Sequence, residues 1–248
     1  MRSVSDLFKA EASNLHDTMT SHSGNAGFKI PDYQRAYDWS EEKVRRLLED
    51  CLNGFYYLSN NGPETPFTFL GTIILVKERS PEATFDGSSL LVVDGQQRLT
   101  TLSLLSCALI EILIEKYVDL NPVSGDRKTW LTSELEFQRD VLYHCIIGQL
   151  QGRGSMHPFP RIIREDDGRA RGARDSEYRS QISRFLMNFS KFYTEDQKEF
   201  DVQFLRNNVE DSRILHNYQY LRNELENFLY SGGGEESDLE CEPLVVVQ

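Results

Sequence analysis

The sequence predicts an α+β fold, with a small mixed β-sheet and helices in the first half and a mainly helical second half. The first half alternates short apolar or β-branched runs with segments of helical periodicity. The second half shows mostly helical periodicity, interrupted by loops rich in glycine and arginine. With 248 residues, of which 39% are hydrophobic, the chain is long enough to bury a full core.

The elements of the first half follow from these runs. The predicted helices span residues 4–19, 40–55 and 96–118. The predicted strands span residues 28–30, 67–77 and 90–93, and a loop or hairpin joins the last two. Ser40 is placed to cap the second helix, because Glu41 and Glu42 occupy the first turn and favour a helix amino terminus.

The second half is predicted to hold helices at about 129–147, 174–193 and 211–229. Residues 1–120 therefore form a predicted core domain, and residues 121–248 form a mainly helical extension. This extension ends in an acidic linker and a short strand, Leu244–Val247.

Composition predicts a soluble cytoplasmic protein that does not enter a membrane. No apolar run reaches the ~18 residues that span a bilayer, and the charged start of the chain is not a secretory signal. The four cysteines lack paired spacing and are predicted to be reduced thiols: Cys51, Cys107, Cys145 and Cys241. The five histidines show no metal-ligand spacing with them.

The candidate site with the most informative sequence is the junction after the strand that ends at Val93. Asp94 and Gly95 break this strand, and helical periodicity begins immediately afterwards, with Gln96, Gln97 and Arg98 in its first turn. A helix amino end offers free backbone N–H groups to an anion, and arginine offers a bidentate donor suited to phosphate. Asp94 is suited to hold a metal, orient a water or accept a proton.

A structural interpretation of the same residues has about equal weight. Asp94 would then be a helix cap, the two glutamines would be solvated, and Arg98 would pair with a surface carboxylate. Three successive hydrogen-bonding side chains between two apolar elements favour the functional interpretation.

A second candidate segment lies upstream. Pro31 favours an extended Ile30, so a short strand delivers Tyr33, Gln34 and Arg35 into a defined loop. Gln34 and Arg35 are candidates for ligand contact. The nearby aromatic residues, Tyr37 and Trp39, are more simply explained by packing against the core.

The net charge of −12 argues against indiscriminate binding to a phosphate backbone. Residues 151–184 differ, since they carry eight arginines, five acids and no lysine. Arginine suits phosphate recognition, and a solvated loop with internal ion pairs is an equally good explanation.

Three motifs together resemble the amino-terminal domain of GmrSD-type modification-dependent restriction systems, and of the related SspE defence proteins. They are Ile30-Pro31-x-Tyr33-Gln34-Arg35-x-Tyr37-x-Trp39, Phe69-Leu70-Gly71-Thr72-Ile73, and Val93-Asp94-Gly95-Gln96-Gln97-Arg98-Leu99-Thr100-Thr101-Leu102. They occur in the family's order and cover most of residues 1–105. A further match is Pro160-Arg161-Ile162-Ile163-Arg164.

The resemblance implies a fold like that of ParB and sulfiredoxin, an antiviral defence role, and hydrolysis of a nucleoside triphosphate, with GTP a candidate. It implies that residues 1–120 form the nucleotide-binding core. The catalytic residues would be Asp94, Gln96, Gln97 and Arg98, with Mg²⁺ on Asp94; the nucleotide-binding residues would be Gly95, Arg98, Gln34 and Arg35. The residues that sense modified DNA would be Pro31, Tyr33, Gln34 and Arg35.

Family members usually continue past a final strand into a carboxyl-terminal nuclease, whereas this chain stops at Gln248. The resemblance therefore implies an amino-terminal fragment that lacks an HNH-type nuclease domain. Its expected partners are DNA, in modified form, and a nucleoside triphosphate.

Three classes of function remain open. The first is a triphosphatase that senses DNA modification, with Gln96 or Gln97 orienting the attacking water. The second is a binding module that does not hydrolyse nucleotide, and the third is a ParB-like nuclease. The chain has no Gly-x-x-x-x-Gly-Lys phosphate loop, so any hydrolysis needs a different pocket.

Overall fold

The computed structural model describes residues 14–20, 27–61, 69–78, 89–119, 126–151, 156–165, 178–194 and 213–231. Within these ranges the chain has six helices, a four-stranded mixed sheet and a separate two-stranded hairpin. The predicted α+β class is confirmed.

The helices and strands have the following bounds. The helices are α1 (Leu15–Thr20), α2 (Glu41–Asn61), α3 (Gln96–Asp119), α4 (Asp126–Ile146), α5 (Gln181–Thr194) and α6 (Arg213–Ser231). The strands are β1 (Gly27–Ile30), β2 (Ile74–Glu78), β3 (Ser89–Asp94), β4 (Ile147–Gln151), β5 (Met156–Pro160) and β6 (Ile162–Arg164).

The four-stranded sheet has the order β2-β3-β1-β6. Strand β1 is parallel to both β3 and β6, whereas β2 is antiparallel to β3. The carboxyl ends of the three parallel strands, at Ile30, Asp94 and Arg164, therefore lie along one edge of the sheet. Ligands of open sheets with parallel strands commonly bind at this edge.

Strand β2 is shorter than predicted. We expected a strand over residues 67–77, but residues 69–73 have no regular structure. Gly71 adopts a φ of 108°, which is incompatible with a regular strand, and the Thr72 carbonyl accepts a hydrogen bond from the Arg98 side chain. Strand β2 begins at Ile74, which pairs with Asp94, the last residue of β3, so residues 69–73 lie beyond the end of the neighbouring strand.

Strands β4, β5 and β6 lie in the second half, where mainly helices were predicted. Strand β5 contains two prolines, which normally argue against a strand, and β6 has only three residues. Nevertheless β6 pairs with β1, so a segment from the second half completes the sheet of the first. The proposed division at residue 120 stays a prediction.

The helix predictions are confirmed where the structure describes them, with small changes of bounds. Helix α2 extends to Asn61, six residues beyond the predicted end, and α5 begins at Gln181 rather than near residue 174. Residues 4–13, the link at 79–88 and the carboxyl-terminal acidic linker and strand lie outside the described residues.

Helix α3 forms the centre of the core. It packs against α4 and α6, and its side chains from Leu99 to Ile112 are buried, apart from the partly buried Leu109. Its buried hydroxyls mostly bond within the helix: Thr101, Ser103 and Ser106 each donate to the carbonyl four residues earlier. No described helix is long and apolar enough to cross a membrane.

A buried ionic cluster joins α3 to α6. Glu111 is 8% exposed and accepts hydrogen bonds from the Tyr218 hydroxyl and from Arg222 Nε, the latter at 2.9 Å. Arg222 also pairs with Glu115 and Glu226. Burial raises the pKa of Glu111, although Tyr218 and Arg222 act in the opposite direction.

Three described cysteines, Cys51, Cys107 and Cys145, are free thiols. The prediction of reduced cysteines is confirmed for these three. Burial raises the pKa of each of them, so these thiols are poorly suited to act as nucleophiles.

Candidate functional site

The two candidate segments meet at the carboxyl edge of the sheet. The loop over residues 31–40 leaves the end of β1, and the junction over residues 94–98 leaves the end of β3. Because β1 and β3 are parallel neighbours, the fold places these segments side by side.

Three glutamines hold the 31–40 loop against the junction. Gln34 Nε2 donates to the carbonyls of Val92 and Val93, at 2.9 and 2.7 Å. From the other side, Gln96 Nε2 donates to the Arg35 carbonyl at 3.1 Å. Gln97 donates to the Ala36 carbonyl and accepts from the Asp38 backbone N–H, both at 3.0 Å. Gln96 and Gln97 are thus buried and not solvated.

Arg164, at the end of β6, completes this arrangement. Its guanidinium donates to the carbonyl of Gln34 at 2.9 Å and to that of Arg35 at 3.3 Å. The carbonyls of three successive loop residues, 34, 35 and 36, are therefore held by side chains from β6 and α3. Since these are charged or amide donors with backbone acceptors, they fix the course of the loop as well as its position.

Arg98 lies on the opposite side of the junction. Its Nη1 donates to the Thr72 carbonyl at 2.7 Å, so Arg98 bonds a backbone carbonyl rather than a surface carboxylate. A side chain at Gly71 would place its Cβ 2.5 Å from Arg98 Cζ. Gly71, with a φ of 108°, therefore leaves space for the guanidinium.

Asp94 differs from its neighbours because its carboxylate is exposed and makes no hydrogen bond to a described residue. It therefore does not cap α3. The residue before the helix is Gly95, at a φ of 90°, and it has no side chain with which to cap. The first described intrahelical bond at this end is from Leu99 N to the Gly95 carbonyl, at 2.9 Å. The N–H groups of residues 96–98 are thus available to an anion.

A small pocket of about 60 Å³ opens beside the first turn of α3. Gln96, Gln97 and Thr100 line one side, and Tyr37 and Arg164 are among the residues facing them. None of the sequence-predicted catalytic residues other than the two glutamines lines this pocket. Asp94 and Arg98 lie at the adjoining helix end.

Beneath the pocket, a polar network ties the 31–40 loop to α3 and α6. The Tyr37 hydroxyl lies 2.8 Å from Thr101 Oγ1 and accepts from Asn217 Nδ2 at 3.0 Å. Asn217 also donates to the Trp39 carbonyl at 2.9 Å. Burial raises the pKa of Tyr37, so its hydroxyl stays protonated at neutral pH. Tyr37 and Trp39 pack against the core, as predicted.

The loop residues predicted to sense modified DNA have different environments. Pro31 is buried and Gln34 is half-buried, whereas Tyr33 is 76% exposed. Arg35 is exposed and forms an ion pair with Asp38 at 3.2 Å. The loop is therefore anchored through its backbone, and it presents the Tyr33 ring to solvent.

Asp94 is suited to magnesium only together with a ligand. Within the described residues there is no cluster of three or more His, Cys, Asp or Glu side chains that would hold a metal alone. Mg²⁺ keeps several waters and usually binds one or two carboxylates plus the phosphates of a substrate. One exposed carboxylate beside an anion-accepting helix end fits that mode of binding.

Sequence reasoning missed several contributors to the site. Arg164, Thr100, Gln181 and Asn217 were not assigned a role in it. The family match over residues 160–164 and the arginine-rich composition of residues 151–184 were the signals for Arg164, and Thr100 lies in the motif over residues 93–102. Nothing local marks Gln181 and Asn217, because their position depends on contacts between distant segments.

The family model of the GmrSD restriction endonuclease N-terminal domain matches residues 5–240. An uncharacterized protein of Methanocaldococcus jannaschii is 38% identical over 79 residues. The aligned stretch covers 29% of this chain and 13% of that protein, so the chain spans a small part of its relative's length.

Proposed function

Because this chain belongs to the family of GmrSD restriction endonuclease N-terminal domains, we propose that it is the nucleoside triphosphate-hydrolysing, DNA-sensing module of an antiviral restriction system. In this proposal it recognises modified DNA and controls a nuclease domain.

One observation carries the proposal. At the β3–α3 junction, Gln34, Gln96, Gln97 and Arg98 donate to backbone carbonyls, whereas the Asp94 carboxylate is exposed with no described partner. Asp94 lies one residue before Gly95, which precedes the uncapped amino end of α3. This combination suits a magnesium-bound phosphate group, since the N–H groups attract the phosphate and the carboxylate attracts the cation.

Each residue then has a role. The N–H groups of residues 96–98 bind phosphate oxygens, with Gly95 allowing their close approach. Arg98 adds positive charge, and Asp94 holds Mg²⁺ or positions the attacking water. Gln96 or Gln97 orients that water, while Gln34 and Arg35 border the nucleotide. When bound, Mg²⁺ supplies charge neutralisation at the phosphates.

The proposed activity is tested by incubating the purified chain with each nucleoside triphosphate and Mg²⁺ and following phosphate release. We expect release that stops when the metal is chelated. Nucleotide binding without release would instead support the binding module. Nicking of plasmid DNA by the chain alone would support the nuclease.

Arg98 provides a first variant. Replacing Arg98 with alanine is expected to weaken nucleotide binding or turnover by about 1.5–3 kcal/mol, the contribution of a charged hydrogen bond. Arg98→Lys keeps the positive charge but not the bidentate geometry, so its loss should be smaller. Binding and turnover equal to wild type in Arg98→Ala would reject this assignment.

For DNA recognition we propose that the 31–35 segment contacts the modification. A phosphorothioate sulfur or a bulky modified base is larger and more apolar than its unmodified counterpart. The exposed Tyr33 ring supplies apolar surface beside the buried Pro31, and Gln34 and Arg35 supply the polar rim. The negative charge of the whole chain suppresses unspecific backbone binding, which helps such discrimination.

Tyr33→Ala tests this role without damage to the fold. Because the side chain is 76% exposed, the stability change should stay within about 0.5 kcal/mol. The preference for modified over plain DNA, measured by binding at fixed salt, should fall. Phe137→Ala on α4 is the matched control, since it removes another exposed aromatic ring (54% exposed) away from the loop. If Tyr33→Ala keeps the wild-type preference for modified over plain DNA, residues other than Tyr33 sense the modification.

A further inference from the structure

The pocket beside α3 is lined by a threonine hydroxyl that makes no hydrogen bond to a described residue. Thr100 is 2% exposed and lines the pocket. Thr101, Ser103 and Ser106 on the same helix bond to the carbonyl four residues earlier, at 2.9–3.1 Å. Among the described residues none is hydrogen-bonded to the Thr100 hydroxyl. The Thr100 oxygen is not itself fully enclosed, so it is accessible from the pocket and can hydrogen-bond to a molecule that binds there.

A second polar atom without a described partner lies one turn earlier. Gln96 is 8% exposed, and its Nε2 donates to the Arg35 carbonyl, which fixes the orientation of its amide. No described residue donates to its Oε1. Residues four apart lie on the same face of a helix, so Gln96 and Thr100 present their free groups side by side. Gln96 Oε1 is a pure acceptor and requires an N–H or O–H donor from the ligand, which a phosphate group does not offer at neutral pH.

The rest of the pocket is apolar and small. Ile30, Ile182 and Ile214 contribute side chains that are at most 4% exposed, while Gln181 at the start of α5 is exposed and lies at the rim. A volume of about 60 Å³ accommodates roughly four to six water molecules. That space suits one ring system, and it is too small for a whole nucleoside triphosphate.

We propose that this pocket takes the base of the nucleotide whose phosphates lie at the start of α3. The polar edge of the base, with an N–H donor, meets Gln96 Oε1 and the Thr100 hydroxyl, and its faces contact the isoleucines. The inference rests on the proposed function and adds to it the part of the site that distinguishes one nucleotide from another. Because Gln96 then contacts the base, Gln97 or Asp94 is the residue that orients the attacking water.

The test is the binding of nucleotides to Thr100→Val, measured by calorimetry in the presence of Mg²⁺. The probes are ATP, GTP, CTP and UTP, their four nucleosides, and inorganic tripolyphosphate. Wild type should bind one nucleotide more tightly than the others and more tightly than tripolyphosphate. Thr100→Val should lose about five- to tenfold in affinity for that nucleotide, the effect of one hydrogen bond. Its affinity for tripolyphosphate should not change.

Two control variants are measured together with Thr100→Val. Thr100→Ser retains the hydroxyl and should retain the base preference. Ser103→Ala removes a buried hydroxyl that bonds within α3, and it should bind all probes as wild type does. The melting temperature of each variant establishes that it is folded.

The outcomes separate this inference from the proposed phosphate site. If tripolyphosphate binds as tightly as every nucleotide, or if Thr100→Val matches wild type, the pocket holds water only and the inference is wrong, while the phosphate site stands. If nucleosides bind in a manner dependent on Thr100 but tripolyphosphate does not bind, the inference stands and the phosphate site is wrong. If Thr100→Val changes the affinity for single-stranded DNA and not for nucleotides, the pocket takes a DNA base and the inference is overturned.

Discussion

Replacing Arg222 with alanine is expected to destabilise the fold by about 3 kcal/mol, which lowers the melting temperature by about 6–12 °C. The substitution leaves Glu111 buried between α3 and α6 without its cation. We place the effect at the lower end of the range for a broken buried pair, because the Arg222 side chain retains 23% exposure.

The matched control is Arg46→Ala. Arg46 forms an ion pair with Glu42 one turn away on α2, with side-chain exposures of 69% and 61%. Such a surface pair contributes little, and its loss should cost less than about 0.5 kcal/mol. Equal effects of the two alanine variants in chemical denaturation would contradict the assigned importance of the α3–α6 cluster.

A double variant tests the cause of the Arg222 effect. If the uncompensated charge of Glu111 is responsible, then Glu111→Gln combined with Arg222→Ala should be more stable than Arg222→Ala alone. If lost packing of the arginine stem is responsible, the added Glu111→Gln change should not restore stability.

The loss should also depend on pH. The pKa of Glu111 is raised in the folded state, so this group favours folding at low pH and its contribution declines as pH rises through that pKa. Removal of Arg222 removes a cation that lowers this pKa, which then rises further. The difference between wild type and Arg222→Ala should therefore be larger at about pH 7.5 than at about pH 5. A difference that is constant with pH would contradict this explanation.

The second large effect is expected in catalysis. Asp94→Asn keeps the size of the side chain and removes its charge, so phosphate release should fall at least about a hundredfold, or about 2.7 kcal/mol in the barrier. Because the Asp94 carboxylate is exposed and makes no hydrogen bond to a described residue, the melting temperature should change little. Both quantities are measured on the same sample.

Asp50→Asn is the control for Asp94→Asn. Asp50 is an exposed carboxylate on α2, so neutralising it changes the net charge equally without touching the junction. It should leave phosphate release at the wild-type level. Full activity in Asp94→Asn would remove Asp94 from the catalytic machinery, and a large fall in melting temperature would show a structural role.

Local patterns were sufficient to predict the junction itself. The β-branched run before Asp94, the break at Asp94-Gly95 and the helical periodicity that follows are all properties of neighbouring residues. Strand β3 begins one residue earlier and ends one residue later than predicted. Helix α3 begins at the predicted residue and ends one residue later than predicted. The polar residues Gln96, Gln97 and Arg98 were likewise located correctly at the helix start.

The partners of those residues were not predictable from local patterns. Gln34 and Val92 are 58 residues apart, and Arg164 is 130 residues from Gln34. Such contacts depend on the parallel pairing of β1 with β3 and β6, and a three-residue strand such as β6 carries too little pattern to reveal it. For the same reason the motif over residues 93–102 did not reveal that Thr100 lines a pocket.

Under the proposed function, two glutamines would connect the nucleotide site with the DNA-sensing loop. Gln96 and Gln97 line the pocket. Their side-chain Nε2 atoms also donate hydrogen bonds to the carbonyls of Arg35 and Ala36, respectively. A ligand that changes the position of either glutamine would change the 31–40 loop directly. In the proposed function, this contact is the physical link between hydrolysis and sensing.

In the proposed function, phosphates and Mg²⁺ bind at the start of α3. The most direct test is a crystal structure of the chain with Mg²⁺ and a non-hydrolysable nucleoside triphosphate. We expect phosphate oxygens at about 2.7–3.1 Å from the backbone nitrogens of residues 96–98, with Mg²⁺ between those phosphates and Asp94. A nucleotide bound elsewhere, with the start of α3 unoccupied, would contradict the account.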